Sequence, residues 1–196
     1  MDPARFTASR VSFNNTAGDG EPISSAACAF GMHVSKAEAE NSLAKAKKEF
    51  SDYGVSQDPK LLSAAWTDVW TAIEDGSKHV EIEARAFMPS LALAKAKKEF
   101  SDYGVSQDPK LLSAAWTDVW IAIEDGSKHV EIEARAFMSS LALAKAKKEF
   151  SDYGVSQDPK LLSAAWTDVW TAIEDGSKHV ETEARRLMEK IEPHRK

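Results

Sequence analysis

His79 and Glu83 stand four residues apart, and the pair recurs as His129 with Glu133 and His179 with Glu183. On a helix that spacing puts imidazole and carboxylate on one face, as a two-ligand metal site would require. Two ligands do not close a coordination sphere, and no cysteine or second histidine stands nearby in the sequence. We therefore expect solvated His–Glu pairs, with no metal.

Tryptophan is the other residue type that recurs at fixed spacing. Trp66 and Trp70, Trp116 and Trp120, and Trp166 and Trp170 account for all six tryptophans of the chain. Two indoles one helical turn apart suit an aromatic surface for a ring-bearing ligand, a pigment or a partner helix, or they fill a core. Trp66 lies on the main apolar stripe of its segment and is expected to pack inside. Trp70 lies one position off that stripe and is the better candidate for a ligand or partner surface.

Enzyme templates find no match. No glycine-rich phosphate loop, no Gly-x-Ser-x-Gly elbow and no HExxH string occurs. The lone cysteine, Cys28, cannot form an internal disulfide, which fits a reducing compartment. Without a nucleophile–base pair there is no catalytic residue to assign, and a non-enzymatic role is expected.

These residues are carried by a repeat. Leu43–Ala92 and Leu93–Ala142 differ only at Thr71/Ile121 and Pro89/Ser139, so the period is 50 residues. A third copy from Leu143 stays close until Thr182 and then diverges into "ARRLMEKIEPHRK". A catalytic centre is needed once; near-verbatim repetition suits a product that depends on stacking or number.

Each copy carries helix signals. Asp58-Pro59 reads as an N-cap followed by a first-turn proline. Leu62, Trp66, Val69 and Ile73 follow at helical spacing. Gly76 reads as a stop, with Ser77 starting the next helix, although the stripe also continues in register as one bent helix would. The hairpin is preferred, because glycine between Asp and Ser is unfavourable in mid-helix by about 1 kcal/mol. The second helix carries Val80, Ala84, Phe87, Leu91, Leu93, Ala96, Phe100 and Tyr103, and Gly104 is expected to end it. Pro89 would add a break, though Ser139 in the next copy shows that none is required.

The fold expected is all-α: tandem helical hairpins forming a solenoid or an extended helical bundle. A capping box at Ser35–Glu38 opens a half unit over 35–57, and units start near 58, 108 and 158. The helices are expected at about 36–53, 59–75, 77–103, 109–125, 127–153, 159–175 and 177–191. The array would thus run over 35–192, with 193–196 as a tail. Arg185, Arg186, Glu189 and Lys190 supply the polar outer face of a last repeat. Residues 1–34 lack a helical apolar stripe and read as a flexible arm. That arm holds an Ala27-Cys28-Ala29 pattern of the kind processing peptidases cut, and an Asn14-Asn15-Thr16 sequon.

A net charge of −6 argues against nucleic acid as the main partner, because neutralising phosphates needs a basic surface. No stretch approaches about 18 uninterrupted apolar residues, so no membrane span is expected and the chain reads as soluble. The partner expected is a protein, or another copy of this chain.

At "AKAKKEFSDYGVSQDPKLLSAAWTDVWTAI", residues 44–73, the chain resembles a helical segment of the peridinin–chlorophyll a proteins. The shared residues are Lys45-Ala46, Gly54, Asp58-Pro59-Lys60-Leu61-Leu62, Ala64-Ala65 and Ala72-Ile73. The resemblance implies an all-α protein of the plastid lumen cradling chlorophyll and carotenoid, an alternative to a scaffold without cofactor. Where that family presents histidine beside a chlorophyll, this chain has Val69 and Trp70.

Overall fold

The computed structural model describes residues 25–174 and 176–195, with side chains from Lys36 onward. Among the described residues seven α-helices follow one another: α1 (Ser25–Ser56), α2 (Pro59–Asp75), α3 (Lys78–Ser106), α4 (Pro109–Glu124), α5 (Lys128–Ser156), α6 (Pro159–Glu174) and α7 (Lys178–Ile191). A 3₁₀ turn over Glu192–His194 follows α7 and contains Pro193. The described residues contain no strand, and the expected all-α array of hairpins is what forms.

Two kinds of short connector, of two or three residues, build it. In the first, the Asp58 carboxylate accepts a hydrogen bond from the Lys60 amide at 3.0 Å and Pro59 fills the first turn of α2. Asp108 and Asp158 do the same for Lys110 and Lys160. Gln57 takes a left-handed conformation, φ 57°, and its amide donates to the Tyr53 carbonyl at 2.8 Å. This closes α1 after Ser56. The expected stop at Gly104 is therefore displaced: α3 runs through it to Ser106, and Gln107 supplies the left-handed residue. A glycine was the obvious residue for that conformation, but the Gln107 side chain adds hydrogen bonds to the carbonyls of Tyr103 and Gly104.

The second connector decides between hairpin and bent helix. Gly76 and Ser77 are both extended, with ψ of 151° and 158°, so α2 and α3 are separate helices. Glycine is needed at 76 for room, not for its φ. A Cβ there would lie 2.2 Å from the Ala72 carbonyl oxygen and 3.1 Å from the Val80 Cβ. Ser77 starts α3 without a capping hydrogen bond from its hydroxyl. Pro89 causes no break; it sits buried inside α3, as Ser139 sits inside α5.

The expected first turn at Ser35 is also corrected, because α1 begins at Ser25 and Ser35 lies within it. Of the arm expected over 1–34, with its sequon, residues 1–24 fall outside the described residues, and 25–34 have helical backbone.

Each short helix packs against the long helix on either side. Alternate helices also touch in succession, α1 with α3, α3 with α5 and α5 with the shorter α7. Extensive contacts join only elements one or two apart in the chain, the pattern of an extended array.

Among the described residues the core divides into three clusters, and α3 and α5 each serve two of them. Val80, Ala84, Met88 and Leu91 on the first half of α3 close the cluster begun by α1 and α2. Leu93, Ala96 and Tyr103 on its second half begin the cluster completed by α4 and α5. Shared helices make neighbouring cores depend on one another.

Candidate functional site

The tryptophans separate as their register requires, but Trp66 is less enclosed than expected. It packs on the core with one ring face outward, and Lys95 from α3 covers that face, its Nζ 4.5 Å from the ring centroid. Lys145 covers Trp116 at 4.4 Å in the same way. Arg195 covers Trp166, its guanidinium carbon 4.0 Å from the ring. Arg195 is 50 residues beyond Lys145, as Lys145 is beyond Lys95, so the divergent tail keeps a cation at the periodic position. His194 sits at 5.8 Å from Phe150, a ring whose counterparts Phe50 and Phe100 meet Phe87 and Phe137 edge-on.

Trp70, Trp120 and Trp170 point outward and are 41%, 42% and 44% exposed. Each belongs to an exposed stripe on its short helix: Ser63, Thr67, Trp70 and Glu74 on α2, and the same four types on α4 and α6. Trp170 meets Trp166 edge-on at 6.3 Å. Ile82 and Ile132 are also exposed, at the start of α3 and α5.

Behind the covered tryptophans lies a cluster that the sequence reading missed. The Lys95 Nζ that faces Trp66 also lies 2.8 Å from Asp118 on α4 and 3.8 Å from Glu99 on its own helix. Asp118 is buried, and Glu99 Oε2 is buried without a hydrogen-bond partner. Burial above all, and then the Asp118 carboxylate, push the Glu99 carboxyl up to about 7 against the pull of Lys95. A protonated Glu99 can donate a hydrogen bond to Asp118, which adds to the rise. Glu149 is raised to about 7 for the same reasons, beside Asp168 and Lys145. In the first unit Lys45, Glu49 and Asp68 repeat the arrangement, but Lys45 is 63% exposed at the outer end of the array. Burial raises Glu49 too. One signal pointed here: Leu61, Ala65, Asp68 and Ala72 form a helical stripe with a single charge in it.

The histidines do not come together. His79 and His129 are exposed, and His179 is within 3.4 Å of Glu183. Glu83, Glu133 and Glu183 are instead tied to lysines of the preceding long helix: Lys47 to Glu83, Lys97 to Glu133 and Lys147 to Glu183, at 2.5, 2.5 and 2.6 Å. The hydrogen bond from Lys47 holds the Glu83 carboxyl below its ordinary range. Among the described residues no group of three or more His, Cys, Asp or Glu is placed to hold a metal.

Grooves of about 340 and 280 Å³ open beside Trp66 and Trp116, with Pro59 and Leu62, or Pro109 and Leu112, on one wall. Lys98 and Lys148 stand on the other, paired with Asp102 and Asp152 of their own helices. These cations are already matched, so the grooves offer mainly apolar wall and indole edge. Among the described residues no helix is long and apolar enough to cross a membrane. Compared with known protein families, curated proteins and solved structures, the chain matches none.

Proposed function

We propose that this chain is a non-enzymatic scaffold that presents one surface three times to a protein partner, or to other copies of itself. The observation that carries this reading is the near-equal exposure of Trp70, Trp120 and Trp170 on three equivalent helices. An exposed indole is among the side chains that contribute most when an interface closes over it. The shared long helices hold the three surfaces in fixed relation, so a partner with matching sites binds each further one as an intramolecular event. Any occupant would also meet the Ser, Thr and Glu of the same stripe, a polar rim around an aromatic centre.

The test compares the intact chain with Trp70→Ser, Trp120→Ser and Trp170→Ser, singly and combined, in co-purification from the source and in sedimentation. A bound protein or self-association that weakens stepwise with each substitution supports the reading. Unchanged partners and unchanged mass in the triple variant would refute it.

A second reading, a pigment or small-ligand carrier, draws on the grooves beside Trp66 and Trp116 and on the resemblance of residues 44–73 to the peridinin–chlorophyll a proteins. The grooves sit near the lower end of ligand-pocket sizes, about 300–1,000 Å³. A visible absorption band in natively purified protein would favour it over the scaffold.

A further inference from the structure

The two inner clusters have a charge count that does not close with every group ionised. Lys95 brings one positive charge to a half-buried seam that holds two carboxyls, Glu99 and the buried Asp118. Lys145 does the same for Glu149 and Asp168. With both carboxyls ionised each seam carries a net negative charge beside a buried aspartate and largely screened from water, which is costly. With one proton between them the seam is neutral. Asp118 pairs closely with the ammonium, so the proton belongs on the glutamate, which can then donate a hydrogen bond to the aspartate.

We propose that Glu99 with Asp118, and Glu149 with Asp168, each bind one proton, making the array a proton-linked assembly that packs more tightly as the medium moves from mildly alkaline to mildly acidic. The charged groups around each pair are few. α3 contributes Lys95 and the mutually paired Lys98 and Asp102, and α4 contributes Asp118. The groove wall from α2 brings Pro59, Leu62 and Trp66, all uncharged. The second pair repeats this, with Lys145, Lys148 and Asp152 on α5 and Asp168 on α6. α4 brings Pro109, Leu112 and Trp116 to its wall. Among the described residues no salt bridge reaches either pair from α1 or α7.

The direction follows from linkage. A glutamate raised to about 7 in the folded chain, against an ordinary 4.5, binds its proton more tightly folded than unfolded. Its stabilising effect is complete below the unfolded value and is lost as pH rises through the folded one. Between pH 6 and 8 the unfolding equilibrium constant is expected to rise roughly tenfold per site. On deprotonation the proton leaves to solvent, and the lysine stays charged.

The outer cluster supplies an internal control. Lys45, Glu49 and Asp68 have the same residue types in the same register, but the lysine is open to water. Urea unfolding of the intact chain at several pH values between 5 and 8.5 tests the proposal, beside the double variant Glu99→Gln/Glu149→Gln and the single variant Glu49→Gln. The intact chain and Glu49→Gln should both lose stability as pH rises through this window. The double variant should lose most of that slope, and at pH 8 be more stable than the intact chain. A direct readout that requires no variant to fold is the ¹³C shift of the glutamate side-chain carboxyls. Two of them titrating near 7 support the proposal. All of them titrating below 5, or an unchanged pH slope in the folded double variant, would overturn it.

Discussion

Lys95 stands between Trp66 and Asp118, its ammonium 4.5 Å from the indole centroid and 2.8 Å from the carboxylate. The three residues belong to α3, α2 and α4, so one side chain joins three consecutive helices and spans the boundary between two cores. Replacing Lys95 with alanine removes a cation–π contact and strands Asp118 in a buried site. A loss of about 3 kcal/mol is expected. The double variant Lys95→Ala/Asp118→Ala should recover part of it, because the buried aspartate charge is then gone. Lys45→Ala, at the solvent-open equivalent, should cost clearly less. Chemical unfolding of the four proteins checks all three statements.

The glycines of the repeat are expected to answer substitution with opposite signs. A Cβ on Gly104 would meet nothing within 4 Å, and the residue lies in the last turns of α3. Gly104→Ala should therefore stabilise by about 0.5–1 kcal/mol, since alanine loses less backbone freedom in a helix. A Cβ on Gly126 would lie 2.1 Å from the Ala122 carbonyl oxygen. Gly126→Ala should destabilise by more than about 1 kcal/mol, as the connector must shift to relieve the clash. Melting temperatures moving in the same direction would show that one of these backbone assignments is wrong.

How far this arrangement was legible in the sequence depended on whether its signals were local. Asp58-Pro59 marks the start of α2 because both the cap and the proline act within one turn, and that boundary came out where expected. Gly104 misled because glycine is only permissive. Gln107 holds the left-handed turn by hydrogen bonds that composition does not reveal. The outward Trp70 followed from helical register alone. The Lys95–Asp118–Glu99 cluster did not, because two of its members sit on one helix and the third on the next, and only packing brings them together. A lone aspartate in an apolar stripe announces a partner without naming it.

The two scattered substitutions between copies are informative about packing. Ile121 on α4 packs against the first core cluster, made by α1, α2 and α3. Its counterpart Thr171 on α6 is half-buried and turns its hydroxyl onto the Thr167 carbonyl at 3.3 Å. Thr171→Ile should place the same apolar surface against the second cluster and stabilise by about 0.5–1.5 kcal/mol. The reverse change, Ile121→Thr, should cost a similar amount. Thermal unfolding of both variants measures the two values, and a gain from Ile121→Thr would contradict the shared register of the interfaces.

Arg195 provides the last and most local prediction. It covers Trp166 at the position where Lys95 and Lys145 cover the two preceding tryptophans, yet it lies beyond the end of α7. Its placement depends on the 3₁₀ turn, whose His194 rests against Phe150 and Tyr153. Arg195→Ala should uncover one indole face while leaving the first two cores untouched. Stability should fall by about 0.5–1 kcal/mol, the scale of a partly exposed cation–π contact. In a variant that keeps Trp166 as its sole tryptophan, acrylamide quenching should rise when Arg195 is replaced by alanine, while Arg195→Lys should restore most of the protection. If quenching is the same for arginine and alanine, the tail does not shield Trp166, and the 50-residue periodicity of the covering cation ends at Lys145.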